Sequence, residues 1–105
     1  CIMPTRNGRN GQLFTARGTM NMRNRKWADD FSPIDPDCHC AVDLLHSRAY
    51  LHHLFRAEEL LALQIASIHN LAFYLWLVGE ARRHILAGDF TTWKAGMVKQ
   101  LSERI

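Results

Sequence analysis

Two cysteines one residue apart are the first side chains in this 105-residue sequence that could do metal chemistry. Cys38 and Cys40 offer two thiolates, which are ligands that Zn²⁺ accepts in tetrahedral sites. His69 could complete such a site if the chain returned to the cysteines, because a neutral imidazole also binds zinc. Two cysteines alone fit a pair of reduced, partly buried thiols equally well. A lone histidine on an apolar helix is more often a hydrogen-bonded core residue, so both interpretations stay open.

The second chemical feature is a basic segment near the start of the chain. Residues 1–28 hold six basic side chains and no acidic one, whereas residues 29–105 hold seven bases and all ten acids. Since the net charge is only +3, this uneven distribution says more about an anionic partner than the total charge does. The segment includes Thr5, Arg6, Asn7, Gly8 and Arg9. Its asparagines and glycines favour turns, so we predict a strand end followed by a flexible basic loop.

The elements that would position these groups change in type along the chain. Apolar residues alternate on both sides of Arg17-Gly18, which predicts a small hairpin of residues 13–16 and 19–22. Residues 24–37 contain two prolines and four aspartates. This composition predicts an extended connector.

From residue 47 onward the apolar period becomes helical, and Ser47 is the predicted N-cap. The predicted apolar stripe consists of Tyr50, Leu54, Ala57, Leu61, Ile65 and Ile68. Residues 71–78 are apolar on every side of a helix, so we predict burial on more than one side, with a second chain as a possible cover. Gly88 should end this helix. Asp89 should then cap a last amphipathic helix that uses Phe90, Trp93, Met97 and Leu101.

The composition bounds the class of protein. A chain with 48% hydrophobic and 22% charged residues fits one globular domain and excludes a disordered segment. The cysteine count is odd, and Cys38 and Cys40 are too close for an easy disulfide, so we expect a reduced, cytoplasmic protein. Residues 60–78 approach the length of a membrane span, but polar residues interrupt them, and no membrane partner is expected. His52 and His53 point about 100° apart on a helix and should not face one ligand.

Several separated motifs occur together in one order along the sequence. They are Met-Pro-Thr-Arg-Asn-Gly-Arg-Asn-Gly at 3–11, Asp-Phe-Ser-Pro at 30–33, Cys-His-Cys at 38–40, Ser-Arg-Ala-Tyr-Leu at 47–51 and His-Asn at 69–70. Together they resemble the C-terminal part of the bacterial tRNA-guanine transglycosylases, also called queuine tRNA-ribosyltransferases. The resemblance covers essentially the whole chain. It implies a pentosyltransferase that exchanges guanine at the tRNA wobble position for queuine or a queuine precursor.

The resemblance also implies a fold. The family carries a TIM (β/α)8 barrel with an inserted zinc-binding subdomain near the C-terminus. We therefore expect an α-rich α+β fragment containing the last strand and helices of the barrel together with the zinc subdomain. Residues 1–37 would hold the barrel strand end, the RNA-recognition loop, the hairpin and the connector. Residues 38–105 would hold the zinc knuckle and the C-terminal helices.

A zinc ligand set follows from the family pattern Cys-x-Cys-x-x-Cys with a histidine 26 residues after the last cysteine. This implies Cys38, Cys40 and His69 as ligands, with Asp43 in the place of the third cysteine. An aspartate keeps an anionic ligand but replaces sulfur with oxygen, which lowers the selectivity of the site for zinc. His39 or His46 could substitute, and loss of the metal is a further alternative.

In the family, the segment that matches residues 5–9 recognises nucleotides around the wobble base of the tRNA anticodon loop. Arg6 and Arg9 would offer planar guanidinium groups to bases or phosphates, and Gly8 would let the backbone approach the RNA. The family nucleophile is an aspartate directly before the Cys-x-Met-Pro-Thr-Arg motif, which matches residues 1–6 here, so the chain begins one residue too late to contain it. We therefore expect no base exchange from these 105 residues alone. Two alternatives remain: a free-standing zinc- and RNA-binding module, and a structural dimerisation domain. Either way, a homo-oligomer is expected through Phe73, Trp76 and Leu77.

Overall fold

Helices dominate the structure, a computed structural model that describes residues 3–35 and 46–103. The elements are α1 (Met3–Arg9), β1 (Gln12–Thr15), β2 (Gly18–Asn21), a 3-10 turn (Arg25–Trp27), α2 (Arg48–Arg56), α3 (Leu60–Ala87) and α4 (Phe90–Leu101). This composition agrees with the α-rich part of the expected fold class. A barrel and a zinc subdomain are not seen within residues 3–35 and 46–103, and the predicted boundary at residues 37 and 38 lies outside them.

Helix α1 corrects the prediction of a flexible loop after a strand end. Pro4 lies in its first turn, where a missing backbone N–H removes no helical hydrogen bond. Gly11, with φ of 87°, carries the chain out of the helix, and its carbonyl accepts a 2.8 Å hydrogen bond from the Met22 N–H of the hairpin. Both Pro4 and Gly8 are buried against the rest of the molecule. Tertiary packing therefore outweighs the turn preference of the two Asn-Gly pairs.

The predicted hairpin is confirmed, with each strand starting one residue earlier than expected. β1 and β2 pair antiparallel, with Gln12 opposite Asn21 and Thr15 opposite Gly18. The Thr15 hydroxyl closes the turn by donating to the Gly18 carbonyl over 2.7 Å. Leu13 on β1 is fully buried on the face that meets the helices.

The connector after the hairpin is not extended throughout, which corrects the prediction from its composition. Asn24 accepts a hydrogen bond from the Lys26 N–H through its side chain, which starts the 3-10 turn. The turn buries Trp27, whose indole N–H donates to the Asn21 carbonyl over 3.0 Å. A local side-chain bond and one buried aromatic ring thus convert part of the connector into a structured corner.

Helix α2 begins as predicted, because the Ser47 hydroxyl accepts a 3.1 Å hydrogen bond from the Tyr50 N–H. It ends at Arg56, and the backbone turns through Glu58, which has φ of 57°. This break means that the apolar stripe predicted for residues 50–68 is not continuous. Leu54 is buried on α2, but Leu61 and Ile68 on α3 are exposed.

The hydrophobic core lies between the hairpin, α2 and the first half of α3. Its buried members are Leu13, Met20, Met22, Trp27, Ile34, Leu51, Leu54, Phe55, Ala62, Ile65 and Ala66. α3 is long and apolar enough to cross a membrane by length and composition, and a third of its most apolar stretch is buried in this fold. His69 and Asn70 in the middle of that helix are fully buried. The expectation of no membrane partner stays a prediction.

The second half of α3 does not have the burial predicted for residues 71–78. Phe73 is buried, but Leu75 is 75% and Val78 66% exposed, so one side of the helix lacks a cover within the described part of this chain. Burial of Phe73 also removes it from the predicted oligomer contacts. Trp76 remains 42% exposed.

The corner between α3 and α4 follows the predictions in part. Gly88 ends α3 with φ of 84°, as expected. Asp89 does not cap α4, because its carboxylate lies 2.8 Å from His84 Nδ1. The predicted apolar face of α4 is confirmed, because its four members are the half-buried residues of this helix: Phe90, Trp93, Met97 and Leu101.

Candidate nucleic-acid interface

Helix α1 has two chemically different faces. Arg6 and Arg9 lie three residues apart on the solvent face, and both are exposed. Pro4 and Gly8 lie four residues apart on the opposite face, and both are buried. The helix therefore presents two guanidinium groups from an element whose other side is packed.

Gly8 permits an unusually close approach between α1 and α3. A Cβ at this position would lie 3.2 Å from the Ala66 carbonyl carbon and 3.3 Å from Asn70 Nδ2. Any side chain would thus push the α1 backbone away from the α3 backbone. Gly8 therefore serves helix packing, a role not predicted from the sequence, and its predicted approach to RNA stays a prediction. Thr5 and Asn7, the remaining predicted RNA contacts, are half-buried.

Asn70 joins three separate segments through one buried amide. Its Nδ2 donates to the Pro4 carbonyl and to the Gln12 carbonyl, each over 2.9 Å. Its Oδ1 accepts a 3.0 Å hydrogen bond from the Phe14 N–H. The side chain thereby fixes α1 and β1 on α3. Sequence reasoning missed this role, although two adjacent polar residues within an apolar helix indicate a buried network.

Of the ligand set Cys38, Cys40, Asp43 and His69, His69 is the one that lies within the described residues. Its Nε2 is 2.8 Å from the Phe14 carbonyl, so Nε2 carries the hydrogen and Nδ1 carries the lone pair in the neutral ring. Metal-bound histidines commonly donate their other ring N–H to a carbonyl in this way. Cys38, Cys40 and Asp43 lie outside the described residues. Within residues 3–35 and 46–103, no three His, Cys, Asp or Glu side chains form a metal cluster.

The two ends of the segment that carries Cys38, Cys40 and Asp43 are held beside each other. Pro33 and Ser47 form an isolated antiparallel bridge. The Arg48 N–H donates to the Ser32 carbonyl over 3.1 Å, and the Arg48 guanidinium contacts Asp30 Oδ2 at 3.0 Å. His46, one of the alternative ligands, stacks on Tyr50 with ring centroids 5.3 Å apart.

Asp30 is the ionisable group at this anchor whose environment changes its acidity. The Ser32 hydroxyl donates to the Asp30 carboxylate, and the Arg48 guanidinium adds a hydrogen bond and an opposite charge. These interactions outweigh partial burial and hold the pKa of Asp30 below its ordinary value. The carboxylate is therefore ionised near neutral pH and fastens the start of α2.

A groove of about 280 Å³, here called the Arg9 groove, opens beside α1. Its lining residues are Arg9, Arg23, Phe55, Glu58, Glu59 and Leu63. Arg23 lies over the Phe55 ring at 5.3 Å and donates through Nε to the Asn10 carbonyl. Guanidinium groups donate to base edges or phosphates, whereas glutamates accept from the amino groups of bases. The Arg9 groove therefore offers both donors and acceptors to an unpaired nucleobase.

Comparison with known proteins agrees with the resemblance drawn from the motifs. Residues 1–103 match the family model described as Queuine tRNA-ribosyltransferase. The chain is similar to the queuine tRNA-ribosyltransferase of Nitratidesulfovibrio vulgaris, with 50% identity over 94 residues, which is 90% of this chain and 25% of the relative. It is 46% identical over 103 residues to that of Dinoroseobacter shibae, covering 98% of this chain and 27% of the relative.

The chain thus spans about a quarter of the length of the curated relatives that it matches. The family match covers α1, with its two exposed arginines, and Asn70, which binds the Pro4 carbonyl of that helix. A match over nearly every residue, at about half identity, is specific enough to assign descent. The chain belongs to the queuine tRNA-ribosyltransferase family.

Proposed function

We propose that this chain is the C-terminal part of a tRNA-guanine transglycosylase, which exchanges guanine at the anticodon wobble position for queuine or a precursor. In that enzyme, the chain's own contribution is to hold the anticodon loop through Arg6 and Arg9. The observation that supports this is the exposure of both guanidinium groups on α1, together with the burial of the opposite face by Asn70 and Gly8.

A fixed helix suits this task better than a flexible loop. Because Asn70 binds the Pro4 carbonyl and Gly8 packs on Ala66, the α1 backbone is ordered before RNA binds. Less conformational entropy is then lost on binding. Single-stranded anticodon bases expose their edges, and arginine recognises such edges with two parallel N–H donors.

RNA titration of the 105-residue chain tests this function. We expect Arg6→Ala and Arg9→Ala each to weaken binding of an anticodon stem-loop about 5- to 30-fold, because each removes a guanidinium contact worth about 1–2 kcal/mol. Stability should stay within about 0.5 kcal/mol, since both side chains are exposed. Arg82→Ala on the exposed surface of α3 is the matched control. Unchanged affinity in both Arg6 and Arg9 variants contradicts the assignment.

The zinc site is proposed with Cys38, Cys40, Asp43 and His69 as ligands and a structural role for the metal. Support comes from the family's ligand spacing, which His69 matches, and from its Nε2, which donates to the Phe14 carbonyl as the outer nitrogen of a metal-bound histidine commonly does. Asp43→Cys should make the chain retain zinc at higher chelator concentration, because a third thiolate binds zinc more strongly than a carboxylate. Metal content measured by mass spectrometry checks this. Absence of zinc from both the parent chain and Asp43→Cys overturns the site.

The lack of base exchange by these 105 residues also stays a prediction. Incubation with tRNA and labelled guanine checks it, because any incorporation above a no-protein control contradicts it. In the intact enzyme, the proposed mechanism needs a carboxylate nucleophile to displace guanine from the ribose. The chain described here would contribute RNA positioning to that reaction.

A second candidate function is subunit contact, and the exposed second half of α3 supports it. Leu75, Val78 and Leu86 are each at least 66% exposed. Removing apolar surface from water contributes about 25 cal/mol per Å², so a cover over this face would be favourable. We propose homo-oligomer formation through this surface, with Trp76 and Leu77 among the contacts.

A further inference from the structure

A second groove, here called the basic groove, lies between the 3-10 turn and α2. It has a volume of about 450 Å³, and its lining residues are Arg25, Ala28, Ala49, His52, His53 and Arg56. None of these six lining residues is acidic. The four on α2 follow a helical spacing of three, four and seven residues, so they share one helix face.

Both adjacent histidines line the basic groove, and the expectation that they do not face one ligand stays a prediction. His52 is buried, and its Nδ1 lies 2.8 Å from the Met22 carbonyl, which fixes the ring. His53 is exposed at the rim. The different depths of the two side chains let both line the groove despite their different directions.

The charges in the basic groove point to one class of ligand. Arg25 and Arg56 are exposed on opposite walls, one on the 3-10 turn and one on α2. Among the described residues of the lining, none carries a carboxylate that would neutralise them. The Arg9 groove differs, because Glu58 and Glu59 line it and would repel a phosphate. Between the two grooves, the basic groove is therefore the one that suits a phosphate anion.

The two grooves are also neighbours along the chain. Arg23 lines the Arg9 groove, and Arg25, two residues later, lines the basic groove. At the end of α2, Phe55 lines the Arg9 groove, and the next residue, Arg56, lines the basic groove. The two grooves are therefore lined in part by the same two short stretches of chain, residues 23–25 and 55–56.

We propose that the basic groove binds phosphate groups of the RNA backbone next to the bases that α1 recognises. This inference rests on the proposed RNA-binding function and adds a site to it. The groove would strengthen binding without reading sequence, because phosphate contacts position a nucleic acid and base contacts specify it. An acidic peptide is the competing ligand, and the experiment includes it.

Salt-dependent binding of two RNAs tests the proposal. The probes are a single-stranded RNA of the anticodon-loop sequence and a scrambled RNA of equal length and composition. Arg25→Gln with Arg56→Gln should lower affinity for both RNAs by the same factor. The slope of log K against log salt should become shallower by about 0.7 for each phosphate that the variant no longer neutralises. Arg82→Gln with Lys99→Gln, an exposed pair outside the groove, is the charge-matched control and should produce less than half of this change in slope.

The outcomes separate this proposal from the proposed function. In one outcome, the parent chain binds the two RNAs equally, and the salt slope falls only in the groove variant. This outcome overturns base recognition by α1 and supports the basic groove. A chain that discriminates, with equal slopes in the groove variant and the control pair, overturns the basic groove alone. A third outcome also overturns the basic groove. If a polyglutamate peptide displaces bound RNA more strongly than scrambled RNA of equal charge does, the groove binds carboxylates in preference to phosphates.

Discussion

The two halves of α3 have similar apolar composition but opposite surroundings. Up to Phe73, the helix packs against α1, β1 and α2, and the two polar residues His69 and Asn70 are fully buried with hydrogen-bond partners. From residue 74 to residue 103, none of the described residues is buried. Hydrophobicity alone does not decide which half belongs to the core. The buried polar pair does, because its hydrogen bonds join that half of the helix to α1 and to β1.

Asn70→Ala should produce the largest effect on this comparison. The change leaves the Pro4 carbonyl, the Gln12 carbonyl and the Phe14 N–H without their partner, and each buried unsatisfied group costs about 1–3 kcal/mol. We expect a loss of at least about 3 kcal/mol in the free energy of unfolding. Urea denaturation measures it. Gln64→Ala, on the exposed face of the same half, is the control. A loss below about 1 kcal/mol for Asn70→Ala, on the scale of an ordinary surface change, would contradict the role given to this amide.

Glycine substitutions should have opposite signs in the two regions. Gly8→Ala places a methyl group 3.2 Å from the Ala66 backbone and should destabilise the fold by about 1–3 kcal/mol. Gly79→Ala in the second half of α3 meets nothing within 4 Å and should stabilise the helix by about 0.5–1 kcal/mol. Thermal unfolding of both variants checks the pair. If both variants changed the stability in the same direction, α1 and the second half of α3 would be packed alike, which would contradict the comparison.

The ion pair near the core, Asp30 with Arg48, should contribute more to stability than the ion pair in the second half of α3. Asp30→Asn weakens the contact with Arg48 and should cost about 1 kcal/mol near neutral pH, because exposure of the pair limits the gain. Since the pKa of Asp30 is lowered in the folded state, its contribution is present above the unfolded pKa and disappears as pH falls through the folded value. The parent and Asp30→Asn should therefore converge in acid.

Glu80→Gln is the matched change in the second region. Arg83 donates to Glu80 and lowers the pKa of this carboxylate, but the pair is solvated. Its loss should change the free energy of unfolding less than Asp30→Asn does, because solvent screens this pair. Unfolding curves of the two variants at acid and neutral pH measure the loss of stability caused by each change. A larger loss for Glu80→Gln than for Asp30→Asn would contradict this prediction.

Leu75→Glu should have the smallest effect on stability and a clear effect on assembly. Leu75 is 75% exposed, so the free energy of unfolding of the monomer should change by no more than about 0.5 kcal/mol. A buried charge at a contact surface would weaken self-association. Light scattering at micromolar concentration should show an oligomer for the parent and a smaller species for the variant. A parent that is monomeric at that concentration contradicts the proposed subunit contact.

Local signals in the sequence predicted those elements whose structure depends on near neighbours. The hairpin around Arg17-Gly18, the Ser47 cap and the helix end at Gly88 are confirmed, because each uses a turn or cap formed within a few residues. Helix α1 was predicted wrongly as a loop. Its Asn-Gly pairs favour turns, but contacts with Asn70 and Ala66, far away in the sequence, stabilise the helix.

The candidate site was predictable in its residues and not in its geometry. The excess of bases in residues 1–28 indicated an anion-binding region, and Arg6 and Arg9 are exposed there. The RNA role predicted for Gly8 stays a prediction, and its packing role was missed, since spacing cannot tell close approach to RNA from close approach to another helix. The basic groove was missed because it joins a 3-10 turn to α2, and no sequence period connects Arg25 with Arg56.

The hydrogen bond between Asn70 and the Pro4 carbonyl has a consequence for the order of events during synthesis. The two residues are 66 positions apart. Because a ribosome adds about 5–20 residues per second, Asn70 is synthesised about 3–13 s after Pro4. Contacts of such sequence separation close late, because loop closure must precede them. The hairpin can form from its own neighbours during this interval, whereas α1 cannot dock. The arginine-bearing helix is therefore among the last parts of this region to mature on a nascent chain.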